Sequence, residues 1–122
     1  DVKIKNLMLI DSLDMQEEER NVILEHCKSS NINQIVITHG TDTMTTTGKV
    51  LADANLEKTI VLTGAMIPYK FGSSDGLFNL GGALAYAQTL PSGVYVVMNG
   101  QYFNYDEVEK NKNTGVFEKF VK

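Results

Sequence analysis

Runs of Ile, Val and Leu punctuate the chain, separated by stretches whose apolar residues have helical spacing. Four runs stand out: "VKIKNLMLI" at 2–10, "QIVIT" at 34–38, "TIVLTGA" at 59–65 and "VYVVMN" at 94–99. Each is short and nearly continuous in apolar character, the pattern of a strand buried on both faces. In the first intervening stretch Ile23 and Cys27 stand at i, i+4 behind an Asp14-x-x-Glu17 capping pair. Met44, Gly48 and Leu51 share one side of a second helix that starts at about Thr43. Asp75 is expected to cap a third, with Leu77, Leu80, Leu84 and Ala87 on its inner face.

The order β-α-β-α-β-α-β predicts a mainly parallel sheet with helical crossovers, a three-layer α/β arrangement in which 34–38 and 59–65 are adjacent and parallel. From Gly100 the text turns polar with scattered aromatics, "GQYFNYDEVEKNKNTGVFEKFVK". It predicts a turn, a short irregular or hairpin segment and an exposed end. No repeat or linker divides the chain, so residues 1–122 are expected to form one domain.

Composition then removes several functions. With 43% hydrophobic and 21% charged residues the chain reads as globular, not disordered. The net charge is −4 and Lys and Arg form no cluster that could follow a phosphate backbone, which argues against nucleic acid. No apolar run approaches the length of a membrane span. The single cysteine, Cys27, allows no internal disulfide and predicts a small buried side chain in a reducing, cytoplasmic setting. There is no signal-peptide pattern. The chain starts on Asp1, already within a strand-like pattern, so the natural beginning is expected upstream.

In an open parallel sheet ligands bind at the carboxyl ends of the strands. Those positions hold Asp11 and Ser12, then His39, Gly40, Thr41 and Asp42, then Gly64, Ala65 and Met66, and finally Asn99 leading towards Lys110. The opposite edge receives "KSSN", "ANLEKT" and "LPSG", ordinary turn chemistry. A helix starting near Thr43 would leave unpaired N–H groups beside Thr41 and Asp42, a setting suited to an anion or a developing oxyanion. Asp42 and Thr43 also fit a plain N-cap, and spacing leaves both readings open. Lys110, within "EVEKNK", reads by itself as a solvated charge. His39 fits local packing better than a base, and His26 lies on a helix face. Neither nucleotide loop, G-x-x-x-x-G-K-[ST] or G-x-G-x-x-G, occurs. Two His thirteen positions apart with one Cys do not make a zinc site, so no metal and no cofactor is expected.

Taken together, "VITHGTDTM", "VLTGAMIPYKFGSSDGLFNLGGALAYA", "DSLDM" and "VYVVMNGQYFNYDEVEKNK" resemble the bacterial-type L-asparaginase family in order and spacing, from about Ile10 to Phe117. The likeness is strongest to short single-domain asparaginase-like proteins. It implies the Rossmann- or flavodoxin-like N-terminal catalytic domain of that family over residues 1–122, with its first strand missing. It also implies a hydroxyl–lysine–carboxylate site. Lys110 would deprotonate Thr41 or a water held by it, and Asp42 would orient Lys110 and take the α-ammonium of a small amino-acid amide. Ser12 would take the α-carboxylate and the backbone around Ala65 and Met66 the side-chain amide, with Gly40 beside them. Leu13 stands where long members usually have Gln.

The resemblance thus implies hydrolysis of L-asparagine, and more slowly of L-glutamine. The family's T-G-G-T-[IV] run, which carries its primary nucleophilic threonine, does not occur in residues 1–122. These residues alone are therefore expected to be inactive. A chain without that strand would expose a sheet edge, so a homodimer or homotetramer is expected. The alternative from another class is a non-catalytic amino-acid-binding sensor. A phosphoacceptor domain is disfavoured because "DSLD" separates the two carboxylates that would hold its magnesium.

Overall fold

The computed structural model describes residues 4, 8, 12–67 and 73–119. The strand expected at 2–10 lies outside them except for Ile4, which is exposed, and Met8, which packs on the core; Asp11 also lies outside. A short 3-10 turn, Ser12–Asp14, leads into helix α1, Glu17–Ser29. The cap is not the expected pair. Asp14 belongs to the tight turn closed by the Met15 N–H on Ser12 O, so the helix starts later. Gln16 is the N-cap, and Glu19 reaches back to accept its N–H at 2.7 Å. The run Glu17–Glu19 satisfies the same three-residue spacing in a shifted register and favours the positive end of the helix.

Strand β1 (Gln34–Thr38), helix α2 (Met44–Asp53), strand β2 (Thr59–Thr63), helix α3 (Gly76–Ala87) and strand β3 (Gly93–Met98) follow. β1 and β2 are parallel, with Ile35 opposite Ile60 and Thr38 opposite Thr63, and β2 and β3 are parallel in turn. Strand β4 (Gln101–Asn104) completes the order β1-β2-β3-β4 and runs antiparallel to β3. Asn99 (φ 56°) and Gly100 (φ 76°) form the two-residue hairpin loop, which needs positive φ at both positions.

Alternation along the strands sorts the core into two faces. Ile60, Leu62, Val94, Val96 and Met98 pack with Ile23 and Cys27 of α1 and Met44 and Leu51 of α2. Val61, Tyr95 and Val97 pack with Ala83 and Ala87 of α3. The result is the expected three-layer α/β/α domain. One helix face departs from expectation: Leu77 is 70% exposed, Leu80 and Leu84 are half-buried, and the inward line is Asn79, Ala83 and Ala87. The small side chains let α3 lie close to the sheet, where a Cβ on Gly82 would sit 3.5 Å from Val97.

The tail folds back. Strands β5 (Val108–Lys110) and β6 (Phe117–Lys119) form an antiparallel hairpin, with Lys110 opposite Phe117. Val108 and Phe117 join the α1/α2 side of the core, so much of the expected exposed end is packed. Val108 and Lys110 are two apart and share a face of β5, so the anchoring of one directs the other inward.

Candidate functional site

The carboxyl ends of β1 and β2 meet backbone against backbone. His39 N–H donates to Thr63 O at 2.8 Å, carrying the ladder one step past the strands. A Cβ on Gly64 would sit 2.2 Å from His39 O, and one on Gly40 would sit 2.7 Å from both Cβ and Oγ of Ser12. Only glycine permits either approach. The Ser12 turn, the loop after β1 and the exit of β2 are thereby pressed into one edge.

Thr43 occupies the N-cap position of α2, but its hydroxyl does not cap the helix; it donates to Ser12 O at 2.9 Å. The plain-cap reading of Asp42 and Thr43 therefore does not describe their side chains. Lys110, from the far hairpin, donates to Thr41 Oγ1 at 2.9 Å and to Asp42 Oδ1 at 2.9 Å. Its side chain is 20% exposed and that of Asp42 42%. An ion pair so open to water contributes about 1 kcal/mol or less to stability. Chemically, a lysine amine in contact with a hydroxyl and oriented by a carboxylate is the arrangement that can pass a proton to and from that hydroxyl.

Ser12 is 1% exposed, and its Oγ is the one buried side-chain polar atom without a hydrogen-bond partner among the described residues. Such an atom ordinarily finds a partner. Leu13 beside it is exposed, and Ala65 and Met66 are half-buried on the exit of β2. A pocket of about 220 Å³ opens there between Thr38, Thr63, Gly64, Ala65, Gly76 and Leu80. The sequence-predicted residues thus fall into one direct contact group, Thr41, Asp42 and Lys110, with Ser12 reaching it through Gly40 and Ala65 and Met66 on the neighbouring strand exit.

His39 behaves as a local structural group. Its Nδ1 lies 2.7 Å from Gly40 O and its Nε2 2.7 Å from Thr47 Oγ1, which also accepts from Arg20 Nε at 3.1 Å. A carbonyl can only accept, so Nδ1 carries the proton and Nε2 accepts the Thr47 hydroxyl. Burial holds the imidazole below its ordinary pKa; the Gly40 bond opposes this and the Arg20 charge adds to it. Arg20 and Thr47 were not anticipated, since Arg20 sits in the charged run "EEER" and reads as solvated. Asn79 was also missed, although Asp75 and Asn79 stand at i, i+4 as a possible side-chain pair.

Residues 1–120 match the family model described as Asparaginase, N-terminal. The chain is 37% identical over 123 residues to a probable periplasmic L-asparaginase of Haemophilus influenzae, over 94% of this chain and 35% of the relative. It is 41% identical over 90 residues to a glutaminase-asparaginase of Acinetobacter glutaminasificans, over 70% of this chain and 27% of the relative. The structure of the thermostable L-asparaginase from Thermococcus kodakarensis matches with a TM-score of 0.90 at 30% identity, over 98% of this chain and 38% of that one. The chain spans roughly a third of the length of these relatives.

Proposed function

By the match of residues 1–120 to the family's N-terminal model the chain belongs to the asparaginase family, and we propose that residues 1–122 form a catalytic domain of an amidohydrolase acting on L-asparagine, with L-glutamine slower. The observation that carries this reading is the Lys110 ammonium donating at once to Thr41 and Asp42. In its neutral form the Lys110 amine takes the proton of the Thr41 hydroxyl or of a water bound to it. The freed oxygen attacks the side-chain amide carbon, the tetrahedral intermediate collapses, and the amide nitrogen takes a proton and leaves as ammonia. With water as the second reactant, the products are aspartate and ammonia.

Asp42 holds Lys110 and takes the substrate α-ammonium. Ser12 supplies its unpartnered Oγ to the α-carboxylate, and Leu13 and Gly40 flank that end. The peptide groups around Ala65 and Met66 meet the side-chain amide. A double displacement needs a second hydroxyl facing the substrate, which the family carries in its T-G-G-T-[IV] run. The protein acts as a homodimer or homotetramer, to be checked by light scattering. The buried, unpaired Cys27 thiol suits a cytoplasmic location, whereas the Haemophilus relative is named periplasmic; cell fractionation decides between them. No described helix is long and apolar enough to cross a membrane.

The test is ammonia release from L-asparagine by residues 1–122 and by a version extended upstream through the T-G-G-T-[IV] run. The short form is expected to be nearly inert, and the extended form active. Thr41→Ala is expected to lower the extended form's turnover by ~10²–10⁴-fold. Robust turnover by the short form would overturn this mechanism. Binding of asparagine without turnover by the extended form would favour an amino-acid sensor instead.

A further inference from the structure

The segment leaving β2, residues 64–67, is held along its length by side chains at the start of α3. Asp75 stands at the N-cap position of α3 but makes no side-chain cap. Its Oδ2 accepts the Met66 N–H at 3.1 Å and the Asn79 amide at 2.9 Å, and its Oδ1 accepts the Ile67 N–H at 3.0 Å. Asn79, fully buried, also donates through Nδ2 to Gly64 O at 2.8 Å, and its Oδ1 accepts the Asn99 N–H at 3.0 Å. The Ser74 hydroxyl donates to Ile67 O. Burial works to raise the Asp75 carboxyl, but the hydrogen bonds from Ile67, Met66 and Asn79 outweigh it and hold the group below the usual carboxylate range.

The peptide groups on either side of Ala65 are therefore fixed from α3, and Asn79 fixes α3 in turn to the β3–β4 loop. The opposite flank has no slack, because His39 O fills the space that a Cβ on Gly64 would need. The anchor for the α-amino-acid end is Asp42 in the loop after β1, against which the Ser12 turn is pressed at Gly40 and Thr43, and the register of β1 with β2 is set at Thr38 and Thr63. The path of 64–67 above the strand ends is what remains to set the span between anchor and amide.

We propose that Asp75 and Asn79 are positioning residues that fix this span and thereby select between side-chain amides differing by one methylene. The inference rests on the reading above that the backbone at Ala65 meets the side-chain amide. Asparagine and glutamine carry the same reacting group at different reach from the same α-carbon. A methylene misplaced in a fitted site is worth roughly 10–200-fold in discrimination.

The experiment uses the full-length protein and two variants. Asp75→Asn is isosteric and turns an N–H towards the donors it must hold; Asp75→Glu keeps the charge but pushes the segment by one methylene. The readout is the ratio of kcat/KM for asparagine to that for glutamine, which does not change with the fraction of protein folded. The ratio is expected to fall by about tenfold in Asp75→Asn, and Asp75→Glu is expected not to restore it. A ratio within about threefold of the parent's overturns the inference, and Asp75→Glu decides on the same criterion if Asp75→Asn does not fold. A parent that turns over neither amide overturns the functional reading and this inference together; a parent that is active with an unmoved ratio overturns the inference alone.

Discussion

At the amino ends of β2 and β3 a cleft of about 560 Å³ lies over a floor of Leu51, Ile60 and Val94, whereas the pocket at the carboxyl ends holds only about 220 Å³. The larger hollow has the plainer chemistry. Around the amino edge, side chains reach main-chain carbonyls: Lys58 Nζ donates to Cys27 O and Ser30 O, Thr59 Oγ1 to Leu90 O, and Tyr95 OH to Pro91 O. These bonds satisfy carbonyls that helix ends and turns leave over. Around the carboxyl edge, side chains bond other side chains: Lys110 to Thr41 and Asp42 and Arg20 to Thr47 across long stretches of sequence, Thr47 to His39 and Asn79 to Asp75 across short ones. Convergent polar groups around one unpartnered oxygen mark a site better than volume does.

Equivalent substitutions at the two edges are expected to give opposite results. Lys110→Met in the upstream-extended form should lower ammonia release by ~10²–10⁴-fold while leaving stability within about 1 kcal/mol, because the ion pair it breaks is half open to water. Lys58→Met should leave turnover unchanged and cost about 1 kcal/mol, through the lost bonds that close α1. Chemical denaturation and an ammonia assay on both variants test the contrast. If Lys110→Met kept full turnover, the division between the edges would lose its functional meaning.

The glycines extend the contrast to stability. Gly64→Ala drives a Cβ to 2.2 Å from a backbone oxygen that cannot move without parting β1 from β2, so a loss of about 3 kcal/mol is expected. Gly93→Ala meets the far end of the Tyr95 side chain, with its hydroxyl oxygen nearest at 3.1 Å. It should cost less than about 1 kcal/mol. Urea titration of both decides, and equal losses would mean that the carboxyl edge is no more tightly built than the other.

Most of the frame was legible in the sequence because burial on both faces leaves continuous apolar runs, and β1, β2 and β3 fall within a residue or two of their expected bounds. α1 and α2 showed their inner faces because their other faces are polar. α3 did not: "GLFNLGGALAYA" is apolar nearly all round, so its periodicity cannot say that Leu77 points out while Asn79, held by three hydrogen bonds, points in. The acidic run after Gln16 fits a capping pair in more than one register, which hid the true start of α1. At the site, Thr41 and Asp42 were visible from their place at a strand end. Lys110 was not visible from spacing, because its contact with Thr41 spans 69 positions and depends on a hairpin folding back; the family resemblance supplied it.

The smallest expected effect concerns pH. His39 at the carboxyl edge is held neutral, with its pKa below 6.5, by burial and by the Arg20 charge, against the Gly40 bond. Gly40 O, the Thr47 hydroxyl and the Arg20 guanidinium are the groups facing it, and none offers a negative charge to an imidazolium. An unfolded chain binds the proton at about pH 6.5, so between that pH and the lower folded value the unfolded state holds more protons. Stability is then full above about pH 6.5 and declines as pH falls through this window. Cys27, on α1 beside the Lys58 end, responds in the other direction. Burial raises its thiol above 9.0 against the nearby Lys58 charge, so its contribution is lost as pH rises beyond that value. Asp75 and Glu107 are lowered from 3.8 and 4.5, and their contributions are lost as pH falls below those values, in stronger acid than pH 5.5. Denaturation midpoints at pH 7.5 and pH 5.5 should therefore differ in the parent and differ less in His39→Gln, whatever that variant's absolute stability. An unchanged difference in His39→Gln would show that the acid sensitivity lies elsewhere and that the Arg20–Thr47–His39 chain does not couple to it.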